Sequence, residues 1–198
     1  MTDNELNKQI SFISELEKLK IIYRKNSVID KSRDENSAEH SWHISLMAIV
    51  LQDYYPHEEL DINKVVRMLL VHDIVEIDAG DTFLYDEDGN DKKENKEKNA
   101  ANRIFGLLPD KQKNEFIDLW EEFEMKKTHE AIYASVIDNL QPLINHYLTA
   151  KENYNPYKMR KSEVIKKKNF IKNVSIKLWN LAEQIIDKSV EKGLYIND

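Results

Sequence analysis

The chain has 198 residues, and 29 Lys and Arg set against 36 Asp and Glu leave a formal net charge of −7. There is no Cys, which excludes disulfides, thiolate metal sites and a cysteine nucleophile. The acidic balance argues against nucleic-acid polymers and anionic membranes as partners, while leaving room for a small anionic substrate at a local positive centre.

A 41% apolar and 33% charged chain of this length can bury a real core in one domain. No apolar run reaches the roughly 18 residues of a membrane span, and Met1–Lys8 is too polar for a signal peptide, so a cytoplasmic protein is expected. Only 4 Gly and 4 Pro interrupt the pattern, and the periodicity is helical throughout. Ile10, Ile13, Leu16, Leu19 and Ile22 predict one apolar face of a first helix. Asn36 or Ser37 caps a second, with Ile44, Met47, Ala48 and Leu51 as its stripe. Asp61 caps a third, carrying Val65, Val66, Leu69 and Leu70. Its continuation, through VVRMLLVHDIVEI, is the most apolar run of the chain; a buried helix is expected, although periodicity alone leaves a strand open.

Ala79-Gly80-Asp81-Thr82 reads as a turn. From Asp86 to Lys98 ten of thirteen residues are charged, the pattern of a solvated loop entering an exposed helix, with a lid over a site as the other reading. A helix follows through Ala100, Ile104 and Leu107. Pro109 starts the next, with Phe116, Leu119, Trp120 and Phe123 on one side. Thr128 opens another through Ala131, Ala134, Ile137 and Leu140, which Pro142 kinks or interrupts. A basic stretch and a last helix over about 162–193 complete the chain, with the Lys166-Lys167-Lys168 cluster in solvent. The expected architecture is all-α, a single helical bundle of roughly six to eight helices spanning 1–198, with a core over about 10–150 and a helical extension over about 151–198.

Chemistry concentrates at His72-Asp73. A carboxylate beside an imidazole in the most apolar helix must be compensated, by a divalent cation or by a structural hydrogen bond. His40 at the start of the second helix and Asp138 mid-helix on a buried stretch are further polar groups that neighbouring helices of a bundle can aim at one point. Two His and two Asp leave open positions for water and substrate, a catalytic set rather than a closed structural one. His43, at i+3 from His40, lines the same pocket or sits behind it.

The order His40, His72-Asp73, Asp138 resembles the H…HD…D signature of the HD-domain metal-dependent phosphohydrolases. ENSAEHSWH at 35–43, LLVHDIVEIDAGDT at 69–82, LLP at 107–109 and LWEEFE at 119–124 fall in the order of one branch, similar to bacterial 5′-deoxynucleotidases and their eukaryotic HD-domain relatives. The resemblance implies one divalent ion (Mn, Co, Zn, Mg or Fe) held by His40, His72, Asp73 and Asp138. It implies hydrolysis of (deoxy)nucleoside 5′-monophosphates to nucleoside and phosphate, and a homodimer. It also carries over Glu76 as the acid/base group on the face of the His-Asp pair, Asp81 for positioning water or sugar, Thr82 as a substrate contact, and Arg24 and Arg33 as phosphate-orienting cations, with Lys25 competing for the role of Arg24. The family's nucleotidases often place Trp after that Arg; here Lys25-Asn26 follows, a departure on the base side of the pocket. Hydrolysis of triphosphates, cyclic nucleotides or alarmones, and a non-catalytic metal- or nucleotide-binding role, are the competing expectations.

Overall fold

The computed structural model describes residues 3–56, 59–81 and 90–198. Its helices are α1 (Asp3–Leu16), α2 (Ser37–Leu51), α3 (Ile62–Val71), α4 (Glu76–Ala79), α5 (Asn90–Phe105), α6 (Asp110–Met125), α7 (His129–Thr149), α8 (Lys161–Lys168), α9 (Phe170–Val174) and α10 (Ile176–Glu191). Eight of these ten are eight residues or longer, so the all-α expectation holds. A two-stranded antiparallel ribbon, β1 (Tyr23–Ser27) with β2 (Asp34–Asn36), pairs Tyr23 with Asn36 and Ser27 with Asp34. No described helix is long and apolar enough to cross a membrane.

The capping residues act as their chemistry requires. Asn36 accepts from the Glu39 N–H while Glu39 reaches back to the Asn36 N–H, a complete capping box at the head of α2. Asp61 and Thr128 cap α3 and α7, and Pro109 precedes the first residue of α6. Helix α7 runs through Pro142 without ending. α2 packs on α3 and α7, and α6 on α3, α5 and α7. Ile44, Val65, Leu69, Ile104, Ile137 and Leu140 are fully buried between them.

Four expectations are corrected. Ile10 and Ile13 are exposed, because α1 instead turns Phe12 inward against Phe105 and Phe116. Leu70 is exposed on α3. The last helix is three helices: Ser175 is extended, and its hydroxyl caps the Leu178 N–H and donates to the Tyr54 carbonyl. That break lets Ile171 before it and Ile186 after it both reach the core. Lys168 is buried, not solvated.

Candidate metal centre

The apolar α3 stops just before the His-Asp pair. Residues His72–Val75 tighten into a 3-10 turn, and α4 resumes at Glu76. The pair therefore sits in the turn after the helix rather than inside it as expected. A 3-10 segment between helices often marks a functional point. Here it spreads two adjacent side chains and Glu76 around one buried space, with His72, Asp73 and Glu76 all less than one-tenth exposed.

His40 from α2 and Asp138 from α7 close on the same point. The His40 Nε2 lies 3.0 Å from Asp138 Oδ1, and His72 Nε2 lies 2.9 Å from Asp73 Oδ1 and 3.7 Å from Asp138 Oδ1. His40 Nε2 is 4.0 Å from Asp73 Oδ2. The structure thus brings together the four residues of the signature, from α2, the 3-10 turn and α7.

The second nitrogen of each ring decides what Nε2 can do. His72 Nδ1 donates to the Leu69 carbonyl at 2.9 Å. His40 Nδ1 donates to Gln141 Oε1 at 3.1 Å. The Gln141 amide cannot be the other way round, since its Nε2 donates to Glu35 Oε1 and to His43 Nδ1, at 2.9 and 3.3 Å. With both Nδ1 protons committed, a neutral ring presents a bare Nε2 lone pair to a carboxylate oxygen. Two acceptors about 3 Å apart demand a positive charge between them, a proton or a metal ion. Ligand atoms about 2.0–2.2 Å from one first-row ion stand about 3 Å apart when adjacent, so the separations observed fit a divalent ion. The ring of Phe123 packs on His72 with centroids 4.8 Å apart and fixes its plane.

The titration behaviour follows. Burial works to raise both aspartates, but the charges of His72 and Arg24 and the hydrogen bond from His72 outweigh it and hold Asp73 down at about 2. Hydrogen bonds from His40 and His72 likewise hold Asp138 well below the carboxylate range against burial. Burial works to lower His72, and Asp73 and Asp138 push it well above its usual value instead. Glu76 goes the other way: burial first, then the charge of Asp73, raises it well above the usual range. Its Oε2 accepts from Ser37 Oγ at 2.6 Å.

The two arginines expected at the phosphate part company. Arg24 lies on β1, not at the end of the first helix. It donates to Asp73 Oδ2 at 2.9 Å and stands 3.9 Å from Asp81 Oδ1, so Asp81 joins the site as well. Arg33 instead makes two hydrogen bonds to Glu39 at the surface, with 46% of its side chain exposed. His43 is exposed and touches Gln141 behind His40. Thr82, and the charged segment before Asn90, lie outside the described residues. Sequence reasoning missed Glu35, Ser37 and Lys168 as parts of the site. Glu35 and Ser37 stand within the ENSAEHSWH word; nothing in the local sequence distinguishes Lys168 from its lysine neighbours.

A helical bundle that converges two histidines and two aspartates on one buried point, with their imidazoles oriented from behind, is a domain whose His40, His72 and Asp73 could hold a metal ion. Residues 16–179 match the HD domain family, and the chain belongs to it. It is 32% identical over 112 residues to the 5′-deoxynucleotidase HDDC2 of Xenopus laevis, covering 57% of this chain and 54% of that one. Against the Danio rerio protein of the same name it is 34% identical over 110 residues, covering 56% and 53%. The chain therefore spans about half the length of these curated relatives. A predicted metal-dependent phosphohydrolase from Magnetospirillum magnetotacticum MS-1 superposes with a TM-score of 0.89 at 42% identity, over 98% of this chain and 99% of that one. An HD-domain phosphohydrolase from Listeria innocua shares the fold, with a TM-score of 0.68 at 18% identity over 94% and 92% of the two chains.

Proposed function

We propose that the protein is a metal-dependent phosphohydrolase that splits (deoxy)nucleoside 5′-monophosphates into nucleoside and phosphate. The observation that carries this reading is the convergence of His40, His72, Asp73 and Asp138 with both Nε2 atoms directed at carboxylate oxygens. The 5′-deoxynucleotidases among its relatives support the substrate class.

These four residues would hold one divalent ion. When bound, such an ion supplies positive charge against phosphoryl oxygens and acidifies a water molecule. Arg24, anchored by Asp73, offers its remaining N–H groups to the phosphate, and its fork suits two oxygens at once. Burial and the charge of Asp73 favour the protonated form of Glu76. With Ser37 donating to Oε2, a proton carried on Oε1 can pass to the departing 5′ oxygen as general acid. Asp81, beside Arg24, positions water or sugar. No covalent enzyme intermediate is needed, since water is the nucleophile.

The same reading includes a homodimer. α2 buries His40 and Ile44 on one side and exposes Trp42, Leu46, Ile49 and Val50 on the other. That stripe, at i, i+4, i+7 and i+8, is the kind of apolar surface a second copy covers; light scattering at the mass of one chain would remove this part.

The test is phosphate release from a panel of ribo- and deoxynucleoside 5′-monophosphates after chelation and reconstitution with Mn, Co, Mg, Zn or Fe. Metal-dependent release is expected, and Asp73→Ala should abolish both metal retention and turnover. Release only from triphosphates, cyclic nucleotides or alarmones would move the assignment to another hydrolase class. Bound metal with no turnover on any of them would make the protein a binding module.

A further inference from the structure

Lys168 ends α8, in the extension that follows the motif-bearing helices. It is only 4% exposed, unlike Lys166 beside it. Its ammonium donates to Asn139 Oδ1 at 2.8 Å. Asn139 follows Asp138 directly on α7, and its own Nδ2 is tied to the Ser135 carbonyl at 2.8 Å, so Oδ1 is fixed as the acceptor. The extension thus fastens a buried lysine to the helix position next to a candidate metal ligand.

The charge of that lysine is not balanced locally. Among the described residues no carboxylate lies within 4.0 Å of it, and its one hydrogen-bond partner is a neutral amide. A buried ammonium whose one hydrogen-bond partner is neutral is costly, because two of its three donors lack an acceptor among the described residues. Burial pulls Lys168 down to about 8; the attraction of Asp138 opposes this, and the repulsion of Arg24 adds to it. Lys168 is therefore still mostly charged at neutral pH and lies within electrostatic reach of both Asp138 and Arg24. Both cations border one acidic centre, Arg24 by direct contact with Asp73 and Lys168 through Asn139.

We propose that Lys168 is a substrate-binding residue that, with Arg24, takes the oxygens of a phosphate group entering this site. The chemical class is a phosphate monoester dianion or the inorganic phosphate it yields. This rests on the site being a phosphohydrolase centre but not on nucleotides being the substrate. It gives the extension a role in recognition: Arg24 reaches the phosphate from β1, and Lys168 from α8.

The experiment uses the full chain reconstituted with Mn, and inorganic phosphate as the probe, by titration calorimetry. Lys168→Met, which keeps the stem and removes the charge, should weaken phosphate binding about tenfold, the worth of one charge-assisted hydrogen bond. Lys168→Arg should recover most of the loss. Metal content and affinity for an uncharged nucleoside should stay at the wild-type level in both. If the Met variant does not fold, Lys168→Gln takes its place. Phosphate affinity within twofold of wild type in the charge-removing variant would overturn the proposal, as would a loss that Arg does not recover or that metal content accounts for. A wild-type protein that binds phosphate through Lys168 but does not cleave 5′-monophosphates would end the nucleotidase reading alone. Cleavage with phosphate binding unchanged in the variant would end the Lys168 role alone.

Discussion

The tautomer of His40 is set two side chains away from any reacting group. Glu35 accepts from the Gln141 amide, Gln141 therefore turns its oxygen to His40, and His40 carries its proton on Nδ1. Glu35 Oε2 stays buried without a hydrogen bond, 3.9 Å from His40 Nδ1, so the hydrogen bond this carboxylate makes is the one that holds Gln141. Partners behind a ligating histidine are worth about 10–100-fold in metal affinity, and Gln141→Leu should lose that much in a chelator competition. Glu35→Gln combined with Gln141→Glu exchanges amide and carboxylate while keeping an acceptor at His40 Nδ1. Recovery of metal affinity in this double variant is expected; a role in packing alone predicts none. Glu76 gives a pH signature. Its raised value means the folded state holds this proton more tightly than the unfolded chain, whose glutamate titrates at about 4.3. The associated stability is complete below that value and is lost as pH rises through the folded one. In chelator-treated protein, Glu76→Gln should therefore show a smaller fall in denaturant stability than wild type as pH rises above the unfolded value of about 4.3. Equal slopes would refute the assignment.

At the scale of elements, the site depends on where helices stop. α3 ends before His72, α4 lasts four residues, and Gly80 then turns the chain at φ +76° and ψ 154° so that Asp81 comes back towards Arg24. A Cβ at Gly80 meets nothing within 4 Å. The cost of Gly80→Ala is thus one of backbone conformation alone, about 1–3 kcal/mol. It should appear as a lower urea midpoint, with a loss of activity as Asp81 is displaced. The same logic separates α9 from α10. Hydrophobic periodicity runs on through Val174 and Leu178 as though one helix continued. Only the packing of Ser175 on the Tyr54 carbonyl shows the break, since a serine in a periodic run is compatible with either state.

For the molecule as a whole, the buried acids are the electrostatic problem that an ion solves. Asp73 and Asp138 both face His72 Nε2 in the core, and Arg24 is the one arginine or lysine in hydrogen-bond contact with either of them among the described residues. A divalent ion bound only by the folded state should stabilise it by about 2.7 kcal/mol at a hundred times its Kd. For a chain of about 200 residues that is a rise in melting temperature of about 5–10 °C. The shift should vanish in Asp138→Asn, and a variant that keeps it would remove Asp138 from the ligand set. The extension is part of the same core, since Val164, Ile171, Ile186 and Leu194 are fully buried with the motif-bearing helices.

What the sequence by itself determined is what depends on neighbours along the chain. Helix starts at Asn36, Asp61 and Thr128 are legible because a cap acts on N–H groups two or three residues away, and the start after Pro109 because its fixed φ suits the first turn. The set His40, His72, Asp73 and Asp138 is legible because its order resembles a known family signature and because polar side chains on apolar stretches demand partners. Tertiary structure decided the rest. Arg24 and Arg33 are equivalent in local sequence, yet strand pairing brings Arg24 to Asp73 while Glu39 keeps Arg33 at the surface. Lys168 is one of three consecutive lysines, and only the seating of α8 against α7 buries it beside Asn139. Charge strength is a property of distance and of the medium between groups, and both are fixed only when segments remote in sequence come into contact.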